Sequence, residues 1–157
     1  MRAMLLSTAL LLASVPALAS DPAVPTKAAF DATLAQRTGA DERGMRSYVL
    51  VVLTTGPKKV EDPEARKAMF AGHFANMERW TTAGKLVLAG PFSQDPDGWR
   101  GLYVFAVADK AEAKALTETD PVIVNGEMVA EYHDWYGSAA TMLIPELHEK
   151  LQPPAKE

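Results

Sequence analysis

The chain has 157 residues, a formal net charge of −4 and no cysteine. That length accommodates one domain and leaves little room for a second. Mild acidity without a basic block argues against nucleic acid or an anionic membrane as partner. The lack of thiols excludes disulfides, thiol nucleophiles, iron–sulfur clusters and cysteine zinc sites.

The chain opens on MRAMLLSTALLLASVPALAS. A basic start at Arg2, an apolar run from Met4 to Val15 and the small-x-small step Ala17-Leu18-Ala19 form the pattern of a signal peptide over residues 1–19. The run is shorter than the ~20 residues that a permanent span needs, so no stable membrane anchor is expected. Cleavage near Ala19 releases a periplasmic or secreted protein, and the loss of Arg2 takes the net charge from −4 to −5.

Residues 20–45 read as a flexible or lightly docked arm, with a short helix over Ala28–Gln36 that places Phe30 and Leu34 on one face. The compact region follows, over residues 46–137. RSYVLVVLTT is a strand, apolar from Tyr48 to Leu53, as a central strand must be. Asp62 before Pro63 marks a helix start, and the helix runs to about Ala83, with Met69, Phe70, Phe74, Met77 and Trp80 as its apolar stripe. Gly84 ends it. KLVLAG is a second strand and GLYVFAV a third, separated by a loop rich in Pro, Asp and Gly. Asp109 with Glu112 three residues on is a capping pair for a second helix, which must stop by Thr119 because Asp120 precedes Pro121. PVIVNG makes the return, and EMVAEYHDWYG alternates as a fourth strand. Residues 138–157 form a C-terminal extension.

The order β-α-β-β-α-β specifies an α+β, ferredoxin-like fold: a four-stranded antiparallel sheet with two helices on one face. The other face still carries apolar side chains and must be covered. A second copy of the chain, helped by the C-terminal extension, is the expected cover, which makes a homodimer.

Of three histidines, His73 follows Met69 by four residues and precedes Trp80 by seven, which puts it at the edge of the stripe facing the sheet. From spacing alone it reads first as a hydrogen-bonded histidine at the core margin and only second as an acid–base group. Asp120 alone reads as a turn and helix-stop residue. Ser93 lies in the loop after Gly90-Pro91-Phe92 and reads as turn chemistry or a substrate hydrogen bond. His133, on the fourth strand, is either an ordinary strand histidine or a pocket residue. The motif H-E-x-x-H is absent and the histidines have no ligand spacing, so no metal is expected. The nucleophile elbow G-x-S-x-G is absent as well, which weighs against a serine hydrolase.

YVLVVL, the histidine helix AGHFANMERW, GKLVLAGPF, GLYVFAVAD, KAEAKALTETD and DPVIVNGEM, taken in this order, resemble the YCII-related family over roughly residues 46–136. The resemblance implies a dimeric α+β barrel. It also implies a pocket where the helix histidine, His73, meets the aspartate of the Asp-Pro step, Asp120. Family members are regarded as probable enzymes, and some act on aromatic-degradation intermediates such as chlorinated hydroxyquinols. The expectation is a small exported enzyme without cofactor. In it a His73–Asp120 dyad moves a proton in an isomerase-, lyase- or dehydrochlorinase-type step on a small, possibly aromatic molecule, with Ser93 and His133 as further substrate-binding candidates. The competing expectation is a non-catalytic small-ligand-binding or structural dimer with a vestigial dyad.

Overall fold

The structure, a computed structural model, describes residues 28–93 and 95–153. The signal-peptide segment 1–19 lies outside the described residues, as does the arm up to residue 27. A compact unit starts at Asp31, so the second half of the arm is counted with it. Its elements are helix α1 (Ala32–Thr38), strand β1 (Met45–Thr55), helix α2 (Pro63–Thr82), strand β2 (Leu86–Pro91) and strand β3 (Trp99–Phe105). There follow helix α3 (Lys110–Thr117), a one-turn helix α4 (Pro121–Val124), strand β4 (Met128–Ser138), a 3₁₀ segment Ala139–Leu143 and helix α5 (Ile144–Leu151).

The strands form one antiparallel sheet in the order β2-β3-β1-β4, the ferredoxin-like arrangement. β1 is central, and its inward residues Val49, Val51 and Leu53 join Tyr103 and Phe105 of β3 in the main core beneath α2 and α3. Burying each such side chain contributes about 1.5–3 kcal/mol. The helices begin where the sequence caps them. Asp62 accepts from the Ala65 N–H at 2.7 Å, and Asp109 accepts from the Glu112 N–H at 2.9 Å.

Three expectations need correction. The first helix begins at Ala32, not Ala28, because Asp31 caps it by accepting from the Leu34 N–H; Phe30 stays outside it, exposed. The buried line of α2 is Met69, His73, Asn76 and Trp80, whereas Phe74 is 61% exposed. Those positions keep the spacing i, i+4, i+7, i+11, but two of the four are polar, so a stripe drawn through apolar residues alone is rotated off the true one. The return after α3 holds a further one-turn helix: α3 stops at Thr117, and Asp120 caps α4, with Val122 N–H donating to its side chain at 3.2 Å.

The face opposite α2 and α3 is partly covered from within the chain. Tyr48, Val87 and Val104 form a second buried cluster there, with Met142 of the 3₁₀ segment packed against it. α1 is tied to the C-terminal extension by an exposed Arg37–Glu146 pair at 3.5 Å.

Candidate active site

α2 supplies His73 and Asn76 from adjacent turns of its buried line, and both reach the segment that links α3 to α4. Asn76 Nδ2 donates to the Thr119 carbonyl at 3.0 Å. His73 Nδ1 lies 2.9 and 3.1 Å from the two oxygens of Asp120. Gly72 makes this approach possible: a Cβ there would stand 2.9 Å from Pro121 Cγ, so any larger residue holds α2 away from the Asp-Pro step.

Asp120 is 0% exposed. A buried carboxylate is costly unless it is hydrogen-bonded, and here three donors reach it: His73 Nδ1–H, the Val122 N–H and the Tyr103 hydroxyl at 3.1 Å. Tyr103 rises from β3 on the core face. Burial foremost, then the Asp120 charge, pushes its hydroxyl far above the ordinary tyrosine range, so it remains a neutral donor. Each oxygen of the carboxylate is thus committed to accepting. This fixes the neutral ring as the Nδ1–H form, with the Nε2 lone pair directed away from Asp120.

His73 lines an open cleft of about 360 Å³. Its apolar walls come from Leu53, Phe70, Phe74, Met77, Phe92 and Met128, and its floor passes over the side-chain-free Gly90 and Gly101. The ring is held edge-on to Phe70 and Phe74, with centroids 6.0 and 5.4 Å away. Phe74, exposed on a helix that otherwise buries its aromatics, therefore has a place at this cleft. Volume and lining match a site for one small, largely apolar molecule.

The end of the sheet beside the cleft is strapped shut. The Gly56 N–H donates to the Glu127 carbonyl and the Lys58 N–H to that of Gly126, at 2.9 and 3.1 Å. A Cβ on Gly56 would meet the Gly126 oxygen at 2.1 Å, so only glycine permits this contact. The Glu127 carboxylate accepts from the Val60 N–H at 2.9 Å and from Arg66 at 2.5 Å. The Val60 bond foremost holds it below the ordinary glutamate range. Met128, next in the chain, is thereby set on the cleft wall.

The structure brings His73 and Asp120 together and leaves the other two candidates apart. Ser93 is exposed and does not line the cleft. His133 pairs with Leu50 across β4 and β1, on the sheet face opposite the cleft, and is exposed. The alternation of β4 that puts Tyr132 on the helix side sends His133 to the other. His148, on α5, belongs to a separate groove beside β2. Among the described residues, no group of three or more His, Asp and Glu stands where it could hold a metal ion. Tyr103, one of the aromatic residues that the sequence offers as core or as pocket lining, and Arg100, which the sequence does not single out, also line the cleft.

A model of the YCII-related domain matches residues 47–135, more than half of the chain. The chain belongs to the YCII-related domain family. No curated protein matches it. Among solved structures, this YCII-related chain is similar to the 5-chloro-2-hydroxyhydroquinone dehydrochlorinase TftG from Burkholderia phenoliruptrix AC1100, in complex with 2,5-dihydroxybenzoquinone. The identity is 17%, the match covers 55% of this chain and 92% of that one, and the TM-score is 0.41.

Proposed function

We propose that this YCII-related protein is a proton-transfer enzyme in which His73 Nε2 is the working atom and Asp120 the group that holds it. The observation that carries the reading is the buried contact of His73 Nδ1 with a carboxylate both of whose oxygens accept hydrogen bonds. A ring held this way offers a base on the wall of a small apolar cleft. Nε2 removes a proton from a carbon or oxygen of the bound molecule. The electron pair passes into an adjacent carbonyl, or expels a leaving group from the next carbon, and the imidazolium formed is balanced by Asp120. Return of the proton elsewhere on the molecule is an isomerisation; its departure with a leaving group is an elimination. The residues used are all the chain's own, with no cofactor. The test is incubation in deuterated water with a panel of single-ring phenols, enolisable ring ketones and halogenated hydroxyquinols. NMR reads deuterium at carbon, and an electrode reads released halide. Exchange or release that depends on His73 supports the reading; a panel untouched by the wild-type protein counts against it.

The leader pattern of residues 1–19 supports action after export. Mass spectrometry of the protein from an exporting host is expected to find a chain that starts at Ser20, and an intact Met1 in the soluble fraction contradicts this. A homodimer is proposed through the sheet face opposite α2. There Leu50 and Leu102 are only partly buried, and Val129 and Trp135 are exposed beside the patch that Met142 covers. Sedimentation at micromolar concentration is expected to give a dimer, and a folded monomer alone contradicts it.

A further inference from the structure

Arg100 lines the same cleft as His73 and has no part in the proton transfer just described. It stands there because of an irregularity in the sheet. The β1–β3 register runs from Leu53 opposite Gly101 to Thr54 opposite Trp99, which leaves Arg100 as an extra residue. Such a bulge bends the strand and re-aims the side chain.

Arg100 is half-buried as a residue, and among the described residues its side chain makes no ion pair and no hydrogen bond. Glu127 is the carboxylate that feels its charge, but Glu127 is already taken by Arg66 and the Val60 N–H. Arg66 thus has Glu127 as its partner, and Arg100 has no ion-pair partner among the described residues. Among the described residues the cleft wall has no Asp or Glu, and Asp120 is buried behind His73 and Tyr103. A guanidinium on the wall of a largely apolar cleft, its five donors without a protein partner among the described residues, is a site for a planar anion.

We propose that Arg100 is the specificity-determining residue of this cleft, binding a carboxylate or phenolate on a single-ring ligand whose other edge faces His73. A cavity of roughly 150 Å³ suffices for benzene, so 360 Å³ admits one substituted ring. The part about which edge faces His73 rests on the proton-transfer reading; the anion site does not.

The probes are benzoate and its neutral isostere benzamide, titrated calorimetrically into wild-type protein, Arg100→Gln, Arg100→Lys and His73→Gln in physiological salt. Wild type is expected to prefer benzoate by ~10–100-fold, the range of a charge-assisted hydrogen-bond pair. Arg100→Gln should bind both compounds equally, Arg100→Lys should recover part of the preference, and His73→Gln should keep it. No preference in the wild type, no benzoate binding at all, or a preference that survives Arg100→Gln in a folded protein overturns the proposal. Loss of the preference in Arg100→Gln, with deuterium exchange as fast in His73→Gln as in wild type, leaves the anion site standing and sinks the proton-transfer reading alone.

Discussion

His73→Gln is expected to fold and to lose turnover by ~10²–10⁴-fold, the usual contribution of a positioned acid or base. The glutamine amide can still donate to Asp120, so the buried carboxylate keeps a partner and the loss of stability stays near 1 kcal/mol. Asp120→Asn should cost a comparable factor by another route. In the native site the hydrogen bonds run one way, from His73 and Tyr103 into the carboxylate. An asparagine NH₂ can instead donate to the Tyr103 oxygen, and the tyrosine O–H can then donate to an unprotonated Nδ1, 3.2 Å away. That reversal moves the ring proton to Nε2 and removes the base from the cleft. The double variant should be little worse than either single one, because the two residues act as a unit. Steady-state rates with melting curves for all four proteins check this. If both single variants melt early and neither loses activity or ligand selectively, His73 is a core histidine.

Trp80→Ala is expected to cost about 3–5 kcal/mol, a large share of the stability of a domain this size. Trp80 is the last residue of the buried α2 line and packs edge-on against Tyr103 and Phe105, with centroids 5.8 and 5.5 Å away. Its loss leaves a void under the strand that carries Tyr103. Among the described residues its indole N–H has no hydrogen-bond partner. Trp80→Phe gives up no hydrogen bond and should therefore cost much less. Urea denaturation of the three proteins separates the two causes. Equal losses for Phe and Ala would mean that the indole N–H, not the packed volume, is what the site needs.

The element order was legible because each local signal agreed with the fold. Asp62-Pro63 and Asp109 with Glu112 mark helix starts through capping that the structure shows. The continuous apolar run of β1 marks a central strand, which it is. α4 was not legible, since Val122, Ile123 and Val124 are β-branched and favour strands. It is held as a helix by Pro121 and the Asp120 cap, neither of which shows in apolar periodicity.

The pairing of His73 with Asp120 came from the family resemblance, since no local rule joins residues 47 positions apart. Tyr103 carries only a faint signal, a hydroxyl on an inward position of β3 that reads as core or as pocket lining. Arg100 carries a misleading one: regular alternation assigns its side chain from its neighbours, and the bulge breaks that count. His133 lies away from the cleft for the complementary reason. Strand alternation there is regular, and it carries the ring away from the cleft.

The most direct measurement is heteronuclear NMR of the His73 ring nitrogens in the neutral imidazole form, in wild type and in Asp120→Asn. In wild type the expected result is a proton on Nδ1, a free lone pair on Nε2, and an Nε2 resonance that moves when benzoate enters the cleft, with the tautomer reversed or mixed in Asp120→Asn. A wild-type ring with its proton on Nε2, unmoved by the ligand, contradicts the assignment of His73 as the base.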